Sequence, residues 1–358
     1  MAGLHASIVG IGEGARATSA ALRRAGLTVY DWDLTSVFAH QRSLDVGTTT
    51  QPPSGPGTIV VQMNANELVQ LVARVGSAPF RGKRCIGYWA WELETVPRAW
   101  RHAFRYVDEI WTPSDFTSAA VRRAAPKRVT VRTVHHPIKT PQGAARRTRF
   151  GFPETGAAVL AALDIRSGVA RKNPYAVITA FEAATRDDPS QAFLVLKIGG
   201  IQGNETLFVD IARRTERLPN VRILTESLSE KERDELVLSA DVIVSLHRSE
   251  GAGLLMAEAM LAGKAVVATG WSGNMDFMSA DSARLTPFEL IPVVDPQRLF
   301  TSGRWADPNV EVAGTLLRGL IQDAGARKRL GEAARRYAST VLDPDRLSSQ
   351  MAQWVRGA

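Results

Sequence analysis

The sequence predicts an α/β protein built from two Rossmann-like, doubly wound domains. Three observations carry this. The chain has 358 residues, more than one hydrophobic core usually serves. Short apolar runs rich in β-branched residues alternate with helix-length amphipathic segments, the pattern of a parallel sheet covered by helices. That series breaks in a stretch rich in Pro and Gly and then starts again. The expected organisation is an N-terminal domain over 1–137, a linker over 138–156, a C-terminal domain over 157–342 and a final helix over 343–358 that packs back on the N-terminal domain.

In the first domain, residues 6–9 read as a strand. A glycine turn follows, then a helix over 15–25 and a second strand over 27–30. Residues 47–58, GTTTQPPSGPGT, have loop composition. Strands are expected over 59–63, 84–88 and 129–134, with an aromatic segment, YWAWELETVPRAW, after the second of these. In the second domain strands are expected over 157–165, 192–198, 221–225, 241–247 and 265–269. Ser229 with Glu232 three residues on marks the start of a helix over 229–240 by the capping-box pattern. Two such halves joined by a hinge place ligands in the cleft between them.

Composition narrows the function classes. Apolar residues at 45% and charged residues at 22% are ordinary for a globular protein. No apolar run is long enough to span a bilayer, and MAGLHASIVG lacks the pattern of a secretory leader, so a cytoplasmic protein is expected. One cysteine, Cys85, and six scattered histidines offer neither a disulfide framework nor a metal-ligand cluster. The net charge of +8 is uneven: residues 1–137 hold 16 Lys+Arg against 10 Asp+Glu, and 138–156 hold four against one. Such a bias draws anionic membrane or polysaccharide. No nucleic-acid motif accompanies it, so nucleic acid is not an expected partner.

Residues 242–258, VIVSLHRSEGAGLLMAE, are the most informative. A buried strand runs into a polar loop, a Gly251-Ala252-Gly253 turn and a helix opening at Leu254. Amides at a helix start lack intrahelical partners and favour negative charge, so a diphosphate fits there. Glu250 and Glu258 stand at either end, able to accept hydrogen bonds from sugar hydroxyls. A βα unit with two solvated glutamates would look the same. Upstream, the strand AVLAALDI leads to Arg166, and RSGVARKNP leads to a helix with Asn173 as N-cap and Pro174 at its first position. Arg166 and Lys172 thus stand near the carboxyl edge of that sheet, placed to neutralise a departing diphosphate.

The E-x7-E pair with the Arg166/Lys172 arrangement resembles the retaining glycosyltransferases of the GT-B fold, family-4 type. SEKERDELVLSADVIVSLHRSEGAG and AMLAGKAVVATGWSGNMDFM fit that resemblance, and GYWAWELETVPRAW, VDEIWTPSDF and GRWADPN resemble a bacterial envelope-polysaccharide subgroup. The resemblance implies a hexose moved from a nucleoside-diphosphate sugar, UDP or GDP type, to a glycan or lipid-linked glycan, with retention and no metal or other cofactor. It implies Glu250 on the donor sugar, Glu258 on the ribose and Arg166 and Lys172 on the diphosphate, with amides at Gly251, Ala252, Gly253 and Leu254 in support. Ala252 departs from the pattern, since many relatives have an aromatic there.

The first domain holds a rival reading. Gly10, Gly12 and Ala15 fit G-x-G-x-x-A, and Asp31 follows about 20 residues on, the fingerprint of an NAD-dependent dehydrogenase. In the glycosyltransferase reading Gly12 instead lines the cleft. Asp31-Trp32-Asp33 also spells D-x-D, a metal motif of another glycosyltransferase fold, although the pair equally ends a strand. Trp89, Trp91 and Glu92 suit either a cleft that stacks sugar rings or the core. Arg98, Arg101 and Arg105 lie at helical spacing opposite Trp100, Phe104 and Val107. That segment is either a helix on an anionic membrane or a core-packed helix with a solvated basic face. A non-catalytic sugar-nucleotide-binding protein is the third reading.

Overall fold

The computed structural model describes residues 1–8 and 10–357. The chain divides into two compact units, Met1–Ile138 with Leu342–Ala358, and Lys139–Val341.

In the first unit β1 (Ala2–Gly3), β2 (Trp32–Asp33), β3 (Gly57–Val61), β4 (Lys83–Tyr88), β5 (Glu109–Thr112) and β6 (Thr130–Thr133) form one sheet in the order β2-β1-β3-β4-β5-β6. All its pairs are parallel. Alternation along the strands divides the core in two. Ile59, Val61 and Cys85 meet Trp32, Leu68, Trp89 and Phe104 on one side, while Val60 and Ile86 meet Leu22, Trp111 and Met351 on the other. Met351 comes from the C-terminal helix Pro344–Arg356, whose Asp345 pairs with Arg24 at 2.6 Å. Thr58 and Arg84 donate to the carbonyls of Val355 and Trp354, and the Arg132 guanidinium lies over the Trp354 ring.

The opening of this unit departs from expectation. The first strand is β1, ahead of the expected 6–9, whose last residue, Val9, lies outside the described residues. The glycines do not form a turn: Gly10, Gly12 and Gly14 all lie in the helix Gly10–Arg24. The turn is made instead by Leu4 to Ser7, with the Ser7 amide on the Leu4 carbonyl, and Arg16 ties the carbonyls of His5 and Ser7. Gly12 is buried there, and a Cβ on it would overlap the Leu4 carbonyl oxygen and come within 2.8 Å of that of Ser7. Its lack of a side chain therefore serves helix-to-loop packing. The second strand falls at Trp32–Asp33, after the expected 27–30, because Leu27 and Val29 are spent on packing beside Leu22.

In the second unit β7 (Ala157–Asp164), β8 (Ala192–Gly199), β9 (Val221–Leu224), β10 (Val242–Ser245), β11 (Ala265–Thr269) and β12 (Arg284–Thr286) lie in the order β12-β11-β10-β7-β8-β9, all parallel. The four inner strands β7, β8, β10 and β11 are largely buried on both faces, as their apolar runs require. An antiparallel hairpin, β13 (Phe288–Pro292) and β14 (Arg304–Pro308), follows, which the sequence reading did not anticipate. The helix Glu230–Ser239 opens with the full capping box of Ser229 and Glu232. Residues 138–156, expected as a linker, are largely bound to this unit. Arg147 pairs with Asp241 at 2.5 Å, the Arg146 amide donates to Ser239, and Phe150 and Phe152 are buried. Among the described residues no helix is long and apolar enough to cross a membrane.

The packing at Gly12 makes a prediction. Gly12→Ala is expected to lower stability by about 1–3 kcal/mol in chemical denaturation, through overpacking against fixed backbone. Gly10→Ala, with nothing within 4 Å of its new Cβ, is expected to be neutral or slightly stabilising. Equal effects at the two positions would contradict this account.

Candidate functional site

In the second sheet the strand order reverses at β7, which has β8 on one side and β10 on the other. Open α/β sheets bind ligands outside the carboxyl ends of strands at such a reversal. The two loops leaving β7 and β10 hold Arg166, Lys172 and Glu250.

These loops are sewn together by the backbone. Asn173 has φ +53°, closes the short helix Val169–Lys172, and donates from Nδ2 to the Leu246 carbonyl at 3.0 Å. It thus closes one helix and stands at the N-cap position of the next, Pro174–Thr185, as the sequence suggested, with Pro174 first in that helix, but its side chain makes no capping bond there. The Arg248 amide donates to the Arg171 carbonyl at 2.7 Å and the Arg248 guanidinium to Ala170 at 3.0 Å.

Glu250 lies at the centre, with its side chain 9% exposed. Lys172 Nζ is 2.5 Å from Oε1, and Arg171 Nη1 is 3.2 Å from Oε2. Burial pushes this carboxyl up, but Lys172 and Arg171 outweigh burial and hold it at about 2. An acid in this state is a permanent hydrogen-bond acceptor. Its backbone is held as firmly: the Glu250 amide donates to Ser272 Oγ at 2.8 Å, and its carbonyl accepts from the Gly273 amide at 2.9 Å. A Cβ on Gly273 would meet the Glu250 carbonyl oxygen at 2.9 Å and overlap that of Gly251, so only glycine allows this approach. His247 is fully buried; its Nε2 lies 3.0 Å from Asn274 Oδ1 and 3.2 Å from the Trp271 carbonyl oxygen, and its Nδ1 lies 3.0 Å from Ser245 Oγ and 3.2 Å from the Ser245 carbonyl oxygen. Burial lowers its pKa, which keeps the ring neutral.

The other expected residues are placed as follows. Gly251 and Gly253 are buried and Ala252 and Leu254 half-buried, and Gly253 at φ +86° turns the chain into the helix Leu254–Leu261. Glu258 is half-buried on that helix. Arg166 is not beside Glu250; it makes a two-pronged pair with Asp164 at 3.0 and 2.6 Å, on a side chain 59% exposed. Arg171, Ser272, Asn274 and His247 were not singled out from the sequence. For Arg171 the signal was present, since it adjoins Lys172.

In the first unit Trp89 is fully buried against Trp100 and Phe104, so it is a core residue and no platform for a sugar. Trp91 is half-buried, 5.2 Å from the Trp100 ring, and donates to Thr95; Glu92 is half-buried. Gly12 is occupied as described. Residues Arg98–Tyr106 form a 3₁₀ helix with Trp100 and Phe104 buried and Arg98, Arg101 and Arg105 exposed. Asp31 accepts hydrogen bonds from Ser19 at 2.5 Å and Arg23 at 2.7 Å, so its carboxylate is engaged where the dinucleotide fingerprint needs it open to a ribose. Together with the helical placement of Gly10 and Gly12, this removes the basis of the dehydrogenase reading.

Comparison with known proteins agrees with the second unit. Residues 162–337 match the family model "Glycosyl transferases group 1", which runs from the end of β7 through the whole Glu250 region. The match covers just under half of the chain. Among solved structures, Anabaena HepE in complex with UDP and glucose has a TM-score of 0.72 at 15% identity, over 100% of this chain and 98% of that one. WaaG, a glycosyltransferase involved in lipopolysaccharide biosynthesis, has a TM-score of 0.65 at 15% identity over 98% and 97%. A glycosyltransferase from Rickettsia africae has 0.66 at 11% over 98% and 96%. At these identities the likeness establishes the fold: two Rossmann-like domains of the GT-B type. No curated protein matches the sequence.

The buried pairing of Glu250 has a pH signature. Its pKa is lowered from an unfolded value of about 4.3, so its stabilisation is complete above that pH and fades as pH falls toward 2. Between about pH 5 and about pH 3 the stability advantage of the wild type over Glu250→Gln is expected to shrink by about 2 kcal/mol. Urea denaturation at the two pH values measures it, and a constant difference would contradict the pairing.

Proposed function

We propose that this chain is a retaining hexosyltransferase that moves a sugar from UDP-sugar to a glycan or lipid-linked glycan of the cell envelope. The observation that carries the reading is the Lys172–Glu250 pair at the strand reversal, inside the stretch that matches glycosyl transferases group 1. A diphosphate on the amides at Gly251–Leu254 would meet the Lys172 ammonium, and Glu250 would accept hydrogen bonds from the donor sugar. Glu258, one helix turn further on, is assigned to the ribose, and Arg166, half-exposed on Asp164, to the outer side of the diphosphate. UDP is preferred over GDP because HepE, which shares the fold over the full length, was solved with UDP and with UDP-glucose.

The chemistry needs charge stabilisation more than a dedicated base. As the sugar–phosphate bond breaks, negative charge grows on the leaving phosphate, and a fixed cation stabilises it where water is excluded. The leaving phosphate then accepts the acceptor's proton from the same face, which gives retention. Side-chain cations fill the role that a metal plays elsewhere, so the reading invokes no metal. The first unit is assigned to the acceptor. Its exposed Arg98, Arg101 and Arg105 are braced from behind, since Arg128 donates to the Val107 carbonyl and Arg123 to that of Glu94. This basic face suits an anionic glycan or an anionic inner membrane surface that carries the acceptor, which puts the enzyme on the cytoplasmic side.

A melting panel with UDP, GDP, ADP, dTDP and NAD tests the reading, since a bound ligand stabilises by mass action. UDP is expected to raise the melting temperature by several degrees and NAD to leave it unchanged; stabilisation by NAD alone would sink the proposal. Lys172→Ala and Glu250→Ala are each expected to lower kcat/KM by about 100- to 1,000-fold.

A further inference from the structure

We propose that Arg171 is a positioning residue for Glu250: it keeps the acid in place while Lys172 turns to the diphosphate. The inference rests on the donor site proposed above and adds a division of labour between two adjacent cations.

Both cations touch the same carboxylate, but they differ in freedom. The Lys172 side chain is 24% exposed and the Arg171 side chain 4%. Lys172 reaches Glu250 through a single flexible ammonium, which can leave one oxygen for another. Arg171 is fixed on every side. Its Nε and Nη2 donate to the Ser167 carbonyl at 3.1 and 2.9 Å, and its Nη1 donates to the Ser249 carbonyl at 2.8 Å beside Glu250 Oε2. The guanidinium lies over the Phe300 ring at 5.9 Å, and the Arg171 carbonyl accepts from the Arg248 amide. The side chain thus ties the loop before it, at Ser167, to the loop that carries Glu250.

A diphosphate bound at Lys172 competes with Glu250 for the ammonium. Were Lys172 the only counter-ion, Glu250 would then be left as a buried charge without a partner, a costly state. Arg171 removes that cost through its Nη1, while its Nε and Nη2 stay anchored on the Ser167 carbonyl. It holds Oε2 and the Ser249 carbonyl together, so Oε1 becomes available to a sugar hydroxyl as Lys172 departs. Arg171 itself touches no substrate in this scheme, and the planar fork is what a lysine supplies only in part.

The test uses the full-length protein with UDP and UDP-glucose as probes, read by calorimetry and by the pH profile of UDP-glucose hydrolysis. Arg171→Met is expected to bind UDP within about threefold of the wild type but to hydrolyse UDP-glucose about 100-fold more slowly. The acid limb of its kcat profile is expected to move toward neutral pH, because Glu250 has lost one cation, and Arg171→Lys is expected to restore part of both effects. Lys172→Met is expected to weaken UDP about tenfold or more. The proposal is overturned if Arg171→Met weakens UDP as much as Lys172→Met does, if hydrolysis is unchanged, or if the acid limb stays where it was. Should Arg171→Met fail to fold, Arg171→Lys decides: normal UDP affinity with slowed hydrolysis supports the assignment, and lost UDP affinity overturns it. If the wild type binds neither probe, the donor reading itself fails and this inference with it; normal wild-type binding beside an unaffected Arg171→Met rejects Arg171 alone.

Discussion

A buried carboxylate flanked by two cations is the constraint around which the second unit is arranged. Glu250 is almost out of water, and a charge in that position is tolerated only where partners meet it with good geometry. Its partners come from a different loop, 78 residues earlier in the chain. The parallel pairing of β7 with β10 brings those loops side by side, and bonds from the Arg248 amide to the Arg171 carbonyl and from Asn173 Nδ2 to the Leu246 carbonyl fix their spacing. Ser272, Gly273 and the His247–Asn274 contact close the other side. The site is thus a product of sheet order, and its electrostatics follow from burial.

The first unit uses similar local parts for a different end. A strand, a tight turn and a glycine-bearing helix look like ligand-binding equipment, yet here the turn precedes the glycines. Gly12 is spent on bringing the helix against the Leu4 carbonyl, and Asp31 on Ser19 and Arg23. The aromatic segment is likewise divided. Trp89 goes to the core with Trp100 and Phe104, whereas the arginines between them stay in water. A three-residue period serves this segment well, because Trp100 and Ala103 then share one face of a 3₁₀ helix.

The legibility of the sequence followed the strength of each local signal. Strands β7, β8, β10 and β11 were readable because burial on both faces demands continuous apolar runs. Glu250, Lys172 and the glycine turn were readable because their chemistry is local. The two-residue strands β1 and β2 were not, since pairing defines them and pairing leaves no periodicity in so short a run. Arg171 was hidden for a related reason: Gly168 at φ +98° and Asn173 at φ +53° bend the chain on both sides of one helical turn. The direction of each side chain there depends on backbone angles that spacing does not encode. The attachment of residues 138–156, expected as a linker, to the second unit was not legible because its arginines find their acids far away in sequence, at Glu226, Glu232 and Asp241. The hairpin β13–β14 left no clear pattern either, although Gln297 between its strands donates to the Ile165 carbonyl and accepts from the Val169 amide.

The C-terminal helix carries a consequence for synthesis. Because Pro344–Arg356 supplies Met351 to the core of the first unit and covers β3 and β4, that unit is assembled from both ends of the chain. The second unit, by contrast, is one uninterrupted stretch. On the ribosome the domain made first must therefore wait, with part of its apolar surface uncovered, until the final helix emerges, while the domain made second can close around its own core beforehand. The earlier domain therefore completes its core only once Pro344–Arg356 has been made.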